Sequence, residues 1–211
     1  MKHVEETQIN FDLIHPQPLL LVISGPSGVG KDATLQALKQ RELPLHYVVT
    51  ATTRAPREGE VHGKDYFFLP KEEFEAMIAA NELLEHAIVY EDYKGIPKQQ
   101  IREAMVSGLD VILRVDVQGA AALRELCPDA VLIFLVPSSV EEWHARLNNR
   151  NSETAQSMKV RLETVKRELE FLPIFDYMVV NRHNCLEEAV DSIVNIINTE
   201  HMRTVPRKIT L

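Results

Sequence analysis

The sequence predicts an α/β fold, a parallel sheet with helices on both faces. Three observations carry that expectation. Apolar runs of strand length alternate with stretches of helical periodicity along most of the 211 residues, which is the order a parallel sheet requires. One of those runs, Ala130–Val136 (AVLIFLV), is apolar without interruption, as in a strand covered on both faces. The first run, Leu19–Ile23, leads through Gly25-Pro26-Ser27-Gly28-Val29-Gly30-Lys31 into a helical pattern. That is the strand–loop–helix setting of the phosphate-cradling GxxxxGK motif.

The elements follow in order. Residues 1–18 are a polar lead-in closed by Pro16 and Pro18. The first strand is Leu19–Ser24 and the first helix Asp32–Gln40, with Ala33, Leu35, Ala37 and Leu38 as its apolar positions and Pro44 as its breaker. His46–Thr50 is a second strand. From Thr50 the character changes: TATTRAPREGEVHGKDYFFLP carries no 3.6-residue stripe and reads as an insertion of loops and short strands, Asp65–Leu69 among them. A helix over Lys71–Asn81 and the segment Leu83–Tyr90 come next. Gly95-Ile96-Pro97 is expected to open a helix, proline being favoured in a first turn, that stops near Gly108.

Asp110–Val115 is a buried strand and Gln118–Leu126 the helix after it. After Ala130–Val136, a helix runs over Val140–Asn149, with Ser139 as N-cap and Glu142 completing a capping box. The polar stretch Arg150–Gln156 precedes a long helix to about Leu172. Phe175–Val180 is the last strand. Cys185–Glu200 is the last helix, with Ala189, Ile193, Ile196 and Ile197 on one stripe, and the tail after His201 is expected to fray. Five strands thus lie outside the insertion. The two irregular polar segments, Thr50–Tyr93 and Arg150–Met158, read as moving parts on that frame.

Composition narrows the function. A net charge of −8 argues against a nucleic-acid surface as the main partner, so any anion site must come from local clusters of Arg and Lys. Two cysteines, Cys127 and Cys185, outside any CxxC pattern fit a reducing compartment. No apolar run approaches the roughly 18 residues of a membrane span. Residues 1–18 carry Glu5, Glu6 and Asp12 and match neither a signal peptide nor an intact transit peptide. The expected compartment is the cytoplasm, with a plastid or mitochondrion, in a processed form, as the alternative. The oligomeric state is not readable.

The loop's glycines let successive backbone N–H groups turn inward at phosphate oxygens. The helix that follows adds its positive end, and Lys31 adds a charge that can accompany a transferred phosphate. One letter departs from the motif: Asp32 stands where a Ser or Thr hydroxyl would meet magnesium. Read from the residues alone, several other groups stay open. Arg54 and Arg57 are two arginines in a turn-rich loop beside Lys64. Glu85 is equally a surface carboxylate, Arg146 and Arg150 an exposed helix face, and Arg161 part of a salt-bridge stripe. Trp143 is expected to be packed rather than to stack on a base.

Taken together, the glycine loop, Thr52-Thr53-Arg54-Ala55-Pro56-Arg57 with Gly59-Glu60 and Gly63-Lys64-Asp65-Tyr66, Val115-Asp116-Val117-Gln118-Gly119 and the late Arg-bearing helix resemble a guanylate kinase over about Pro18–Glu200. The resemblance implies a P-loop kinase fold with a five-stranded parallel core (19–49, 94–149 and 159–200), a GMP-binding insertion (50–93), a short lid (150–158) and a tail (201–211). It implies transfer of the terminal phosphate of ATP to GMP, with Mg²⁺ as cofactor and small-molecule substrates as partners, and neither nucleic acid nor membrane. By the same resemblance Gly25, Ser27, Gly28, Val29, Gly30, Lys31, Asp32, Ala33, Arg146, Asn181 and Arg182 bind ATP. Thr50, Arg54, Arg57, Tyr66, Glu85, Lys94, Arg114 and Asp116 bind GMP. Lys31, Arg57, Arg150 and Arg161 serve catalysis, and Asp32 is the candidate metal ligand.

Two other readings compete: a guanylate-kinase-like binding module without catalysis, and a kinase of the same fold for another phosphate ester. Three letters differ from the family's pattern: Asp32 after the loop lysine, Arg114 in place of an acid, and Lys94-Gly95-Ile96 in place of Tyr-Gly-Thr/Ser. They are similar to the plant organellar branch. They suggest an acid moved across the site, with Arg114 offsetting Asp32 and Lys94 taking over phosphate contact.

Overall fold

A computed structural model describes residues 17–89, 91–148 and 155–211, with residues 89, 147, 148 and 155–161 described by their backbone only. The frame is a five-stranded sheet. Its strands are β1 (Leu20–Ser24), β2 (Leu45–Tyr47), β7 (Asp110–Arg114), β8 (Val131–Val136) and β9 (Tyr177–Val180), in the order β2-β7-β1-β8-β9. All four pairings are parallel.

The first strand shows why the sheet needs helices on both faces. Leu19, Leu21 and Ile23 pack into one core with α1 (Lys31–Lys39) and α7 (Leu186–His201), through Ala37, Leu38, Ala189, Val190 and Ile193. Leu20 and Val22 point the other way, into a second core with α3 (Lys98–Val106) and α4 (Val117–Leu126), through Ile101, Ala104, Ala120 and Leu123. A strand alternates its side chains between faces, so a run apolar at every position is what a doubly covered strand must carry.

The insertion is a second, four-stranded sheet in the order β4-β3-β6-β5, made of β3 (Ala51–Thr52), β4 (Phe67–Phe68), β5 (Leu83–Val89) and β6 (Asp92–Pro97). With α2 (Lys71–Ala79) it forms a small core of Ala51, Phe74 and Leu83, flanked by Phe67, Leu69, Met77, Ile78 and Tyr93. The Phe74 and Tyr93 rings stack at 5.2 Å.

Three expectations change. The helix expected at Pro97 is there, with Pro97 as the N-cap of α3, but Gly95-Ile96-Pro97 also ends β6, which pairs with both β3 and β5. The small sheet therefore runs past residue 93, up to the start of α3. The capping box before α5 (Val140–Asn148) forms only in part: Ser139 Oγ accepts from the Glu142 N–H at 3.2 Å. The Glu142 carboxylate instead bonds the Ser138 hydroxyl and the Arg146 guanidinium.

The tail does not fray. Arg207 makes a forked pair with Glu200 at 2.7 and 2.8 Å, Glu200 also accepts from Tyr177 at 2.7 Å, and Ile209 and Leu211 pack on the second core. Of the expected lid, residues 150–154 lie outside the described residues.

Candidate active site

Ligands in open parallel sheets lie beyond the carboxyl ends of the strands, and here three such ends converge. β1 delivers the glycine loop, β2 leads through Val48 and Val49 to Thr50, and β7 ends in Arg114, followed by Val115 and Asp116. Against them stands the insertion. Between the two lies a cavity of about 550 Å³ whose walls bring together Lys31, Thr50, Tyr66, Glu85, Lys94, Arg114 and Asp116. A neighbouring cavity of about 230 Å³ shares Thr50, Tyr66 and Arg114 and adds Asp32, Lys39, Lys64 and Asp65.

The loop is held by side chains from elsewhere. The Trp143 indole N–H donates to the Ser27 carbonyl at 2.9 Å, and Trp143 is buried. The Val29 carbonyl accepts from Arg146 Nη1 at 2.9 Å and from Asn181 Nδ2 at 2.8 Å. Arg146 Nη2 in turn donates to the Asn181 carbonyl at 2.7 Å. Gly30, at φ +97°, caps α1 in the left-handed region, and a Cβ there would lie 2.6 Å from Asn181 Nδ2. The loop therefore demands glycine for both conformation and space.

Lys31 lies over its own loop. Its Nζ donates to the carbonyls of Gly25 (2.5 Å) and Pro26 (3.1 Å). Burial pushes its pKa down, opposed by the carboxylates of Glu168, Asp32 and Asp116, while Arg114 adds to the downward shift. Asp32 and Arg114 form an ion pair at 2.5 Å, Asp32 being three-quarters exposed. Asp116 caps α4, its Oδ1 accepting from the Gly119 N–H at 2.8 Å.

On the opposite wall Glu85, on β5, is partly buried, and burial with the nearby Asp116 raises its carboxyl pKa. A Cβ on Gly119 would come within 2.7 Å of Glu85 Oε2, so the bare backbone of α4 is what lets the carboxylate lie there. Arg54 is oriented by Glu60, with Nη2 at 2.9 and 3.0 Å from the two carboxylate oxygens. Its guanidinium stands 5.4 Å from the Tyr66 ring and 5.7 Å from the Phe68 ring. The Arg57 N–H also donates to Glu60, at 2.7 Å. Lys94 Nζ lies 5.7 Å from the same Tyr66 ring. The insertion thus presents cations gathered around one aromatic ring, an arrangement suited to an anion.

The remaining expected residues divide. Arg182 is exposed and pairs with Glu188 at 3.0 Å. Arg150 lies outside the described residues, and Arg161 is described only by its backbone on α6 (Ala155–Glu170). Sequence reasoning missed two residues: Trp143 as a support of the loop, and Glu168, the charged group that acts most strongly on Lys31. Glu168 sits among other charged residues on α6, and nothing in that pattern singles it out.

Among the described residues no group of three or more His, Cys, Asp or Glu side chains could hold a metal ion. Oxygen donors are nonetheless at the loop, in Asp32 and Asp116. That suits an ion such as Mg²⁺, which keeps several waters and is bound by one or two carboxylates together with substrate phosphates.

Comparison with known proteins agrees with this geometry. Residues 17–200 match the family model for guanylate kinase. The chain is 54% identical over 195 residues to "Guanylate kinase 2, chloroplastic/mitochondrial" of Oryza sativa subsp. japonica, covering 90% of this chain and 68% of that protein. It is 45% identical to the guanylate kinase of Halalkalibacterium halodurans over 88% of this chain and 90% of that one. Among solved structures it resembles the crystal structure of guanylate kinase from Anaplasma phagocytophilum, with a TM-score of 0.68, 32% identity, and coverage of 91% and 90%.

Proposed function

We infer the reaction from two premises: the chain belongs to the guanylate kinase family, and one cavity joins a phosphate loop to a partly buried carboxylate. The protein transfers the terminal phosphate of ATP to GMP, giving ADP and GDP. The observation that carries this reading is the pairing of Lys31 and Glu85 on the walls of that single cavity. Guanine offers N1–H and an exocyclic amine side by side, and one carboxylate accepts from both. Adenine offers no such pair and leaves the carboxylate desolvated and unpaired.

In this reading the GMP phosphate lies among Arg54, Arg57, Tyr66 and Lys94, with Thr50 toward the base. The triphosphate lies on Gly25–Ala33, its loop held by Arg146 and Asn181, with Arg182 at the adenine end. Lys31, Arg57, Arg150 and Arg161 meet the charge spread over the equatorial oxygens, where positioning and electrostatics do most of the catalysis. Mg²⁺ bound with ATP would be held by Asp32, directly or through water, with Asp116 near it. When bound it neutralises charge on the β- and γ-phosphates. Arg114 offsets the Asp32 carboxylate, which would otherwise repel the triphosphate. The pair at 2.5 Å supports this.

We place the activity in the cytoplasm, with a plastid or mitochondrion as the alternative supported by the chloroplastic/mitochondrial relative from rice. No helix among the described residues is long and apolar enough to cross a membrane.

A coupled assay of ADP release with GMP, AMP, CMP and UMP tests the reading. Turnover with GMP is expected, and with AMP on the order of 10⁴-fold less. GMP binding without turnover would instead identify a binding module, and turnover of another phosphate ester but not GMP a different kinase. Run against magnesium concentration, the same assay checks the ion pair. Asp32→Ser and Arg114→Asp should each impair the enzyme, and the double variant should recover much of the loss. Additive losses would refute the coupling. Lys94→Ala should raise KM for GMP and leave that for ATP unchanged; a shift in the ATP constant would remove Lys94 from the phosphate site.

A further inference from the structure

Two stretches of chain join the frame to the insertion, and the first is held by a side chain. Val48, just past β2, still belongs to the frame: its N–H donates to the Ile112 carbonyl of β7 at 3.1 Å. Thr50 already belongs to the insertion: its carbonyl accepts from the Phe67 N–H of β4 at 2.9 Å. Val49 lies between them, partly buried and outside both sheets. A buried backbone unit needs partners for its N–H and its C=O. Both come from one residue. Gln100 Oε1 accepts from the Val49 N–H at 2.8 Å, and Gln100 Nε2 donates to the Val49 carbonyl at 2.7 Å. The exchange of both bonds is that of a hydrogen-bonded pair in antiparallel strands.

Gln100 stands in the first turn of α3, and α3 is fixed to the frame, with Ile101 and Ala104 buried in the second core. The other connection ends at the same place. Lys98, the first residue of α3, donates its N–H to the Glu82 carbonyl of the insertion at 2.9 Å. Both connections therefore meet at one helix start. His46 Nε2, on β2, lies 3.4 Å from Gln100 Oε1. Beside the clamp, a cavity of about 490 Å³ lies between Phe67, Leu69 and Met77 of the insertion and Gln99 and Glu103 of α3, so the insertion has room to move. The backbone turns only about φ and ψ. A residue held at both its N–H and its C=O cannot turn about either without breaking a bond. The pivot then falls at Thr50, a wall residue of the site cavity.

We propose that Gln100 is a positioning residue: it pins Val49 to the frame, places the pivot of the insertion at Thr50, and so keeps the GMP-facing wall in register with the phosphate loop as the insertion closes. The proposal rests on the phosphoryl-transfer reading. It assigns Gln100 no contact with either nucleotide; the residue acts through Val49 and Thr50. Hinges are a few residues that absorb the change in backbone angles, and altering them changes substrate constants from a distance.

The test measures nucleotide binding, turnover and amide exchange on the full chain. Gln100→Met keeps the length of the stem and removes both bonds. It should weaken GMP binding and raise KM for GMP roughly tenfold, the scale of two lost neutral hydrogen bonds, with KM for ATP unchanged. The Val49 amide should lose its protection from exchange, while amides in β1 and β8 keep theirs. Gln100→Glu keeps the shape and turns the donor into an acceptor. It sets a carboxylate oxygen against the Val49 carbonyl, so GMP binding should fall at least as far as in Gln100→Met. A side chain that only fills space would leave Gln100→Glu like the parent chain, and that result would overturn the proposal. So would GMP constants that stay at the parent values in both variants, or that rise together with those for ATP. A parent chain that binds GMP without turning it over would overturn the reaction, and the clamp would still stand or fall on GMP binding and the Val49 amide.

Discussion

The phosphate loop leans on side chains from α5 and from the end of β9, whereas the insertion facing it leans on a core of three buried residues and on surface ion pairs. Trp143, Arg146 and Asn181 converge on the carbonyls of Ser27 and Val29, and the strand before the loop is fully buried. The insertion has Ala51, Phe74 and Leu83 as its core and sets Arg54 with Glu60 near its surface. The contrast matches the work each side must do. A loop that cradles phosphates by its backbone must keep that backbone fixed. A side that must admit a whole nucleotide and exclude water needs to open and close, and such parts are drawn from the less stable regions of a fold.

The largest expected effect comes from breaking the insertion at its centre. Phe74 is fully buried, and Phe74→Ala should cost roughly 3–5 kcal/mol. If the two sides are held separately, the loss should fall on residues 51–97. Amide exchange there should speed up, GMP affinity should drop, and exchange in β1 and β8 should change little. A cooperative loss across both sheets would show that the insertion is not a separate unit.

Breaking the loop's support should cost less. Arg146 joins the Val29 and Asn181 carbonyls, and its side chain is about one-fifth exposed. Arg146→Met removes those bonds while keeping much of the stem's packing, at a cost on the order of 2 kcal/mol. KM for ATP should rise, with that for GMP close to unchanged. Equal shifts in both constants would mean that the loop and the insertion share their support.

The same contrast governs what could be read from the sequence. The frame was legible because burial on two faces leaves a mark on every residue of a strand, as in Leu19–Ile23 and Val131–Leu135. The helix α7 showed its stripe, and Ala189, Ile193 and Ile197 are buried as that stripe requires. Pro97 did mark the start of α3, but β6 before it was missed because that strand is chosen by pairing with β3 and β5. The tail was misread because its anchor is a partner rather than a pattern: Glu200 and Arg207 close a fork that no periodicity announces. At the site, the glycine loop was readable from its own letters. Glu85 and Asp116, thirty-one positions apart in the chain, carried meaning only through resemblance to a family. Arg146 and Trp143 gain their role from where α5 stands.

The smallest effect on stability belongs to Glu85, which faces the loop's wall from the insertion. Burial and the neighbouring Asp116 raise its pKa above the ordinary value of 4.5. The folded chain therefore holds this proton more tightly than the unfolded chain does. Between the unfolded and folded values the unfolded state binds fewer protons, so stability falls as pH rises through that window. The penalty is absent well below 4.5 and complete above the folded value. Glu85→Gln cannot ionise and escapes it. The variant should therefore unfold at higher urea than the parent chain at neutral pH, and the two should draw together as pH falls below about 4.5. Over the same range the variant should lose discrimination between GMP and AMP, because an amide cannot accept from both guanine donors. A carboxylate kept at some cost to the free protein, and repaid when the base binds, predicts that pairing of gains and losses. If the variant is less stable at every pH, Glu85 fastens the ligand-free insertion, and its selectivity rests on some other wall of the cavity.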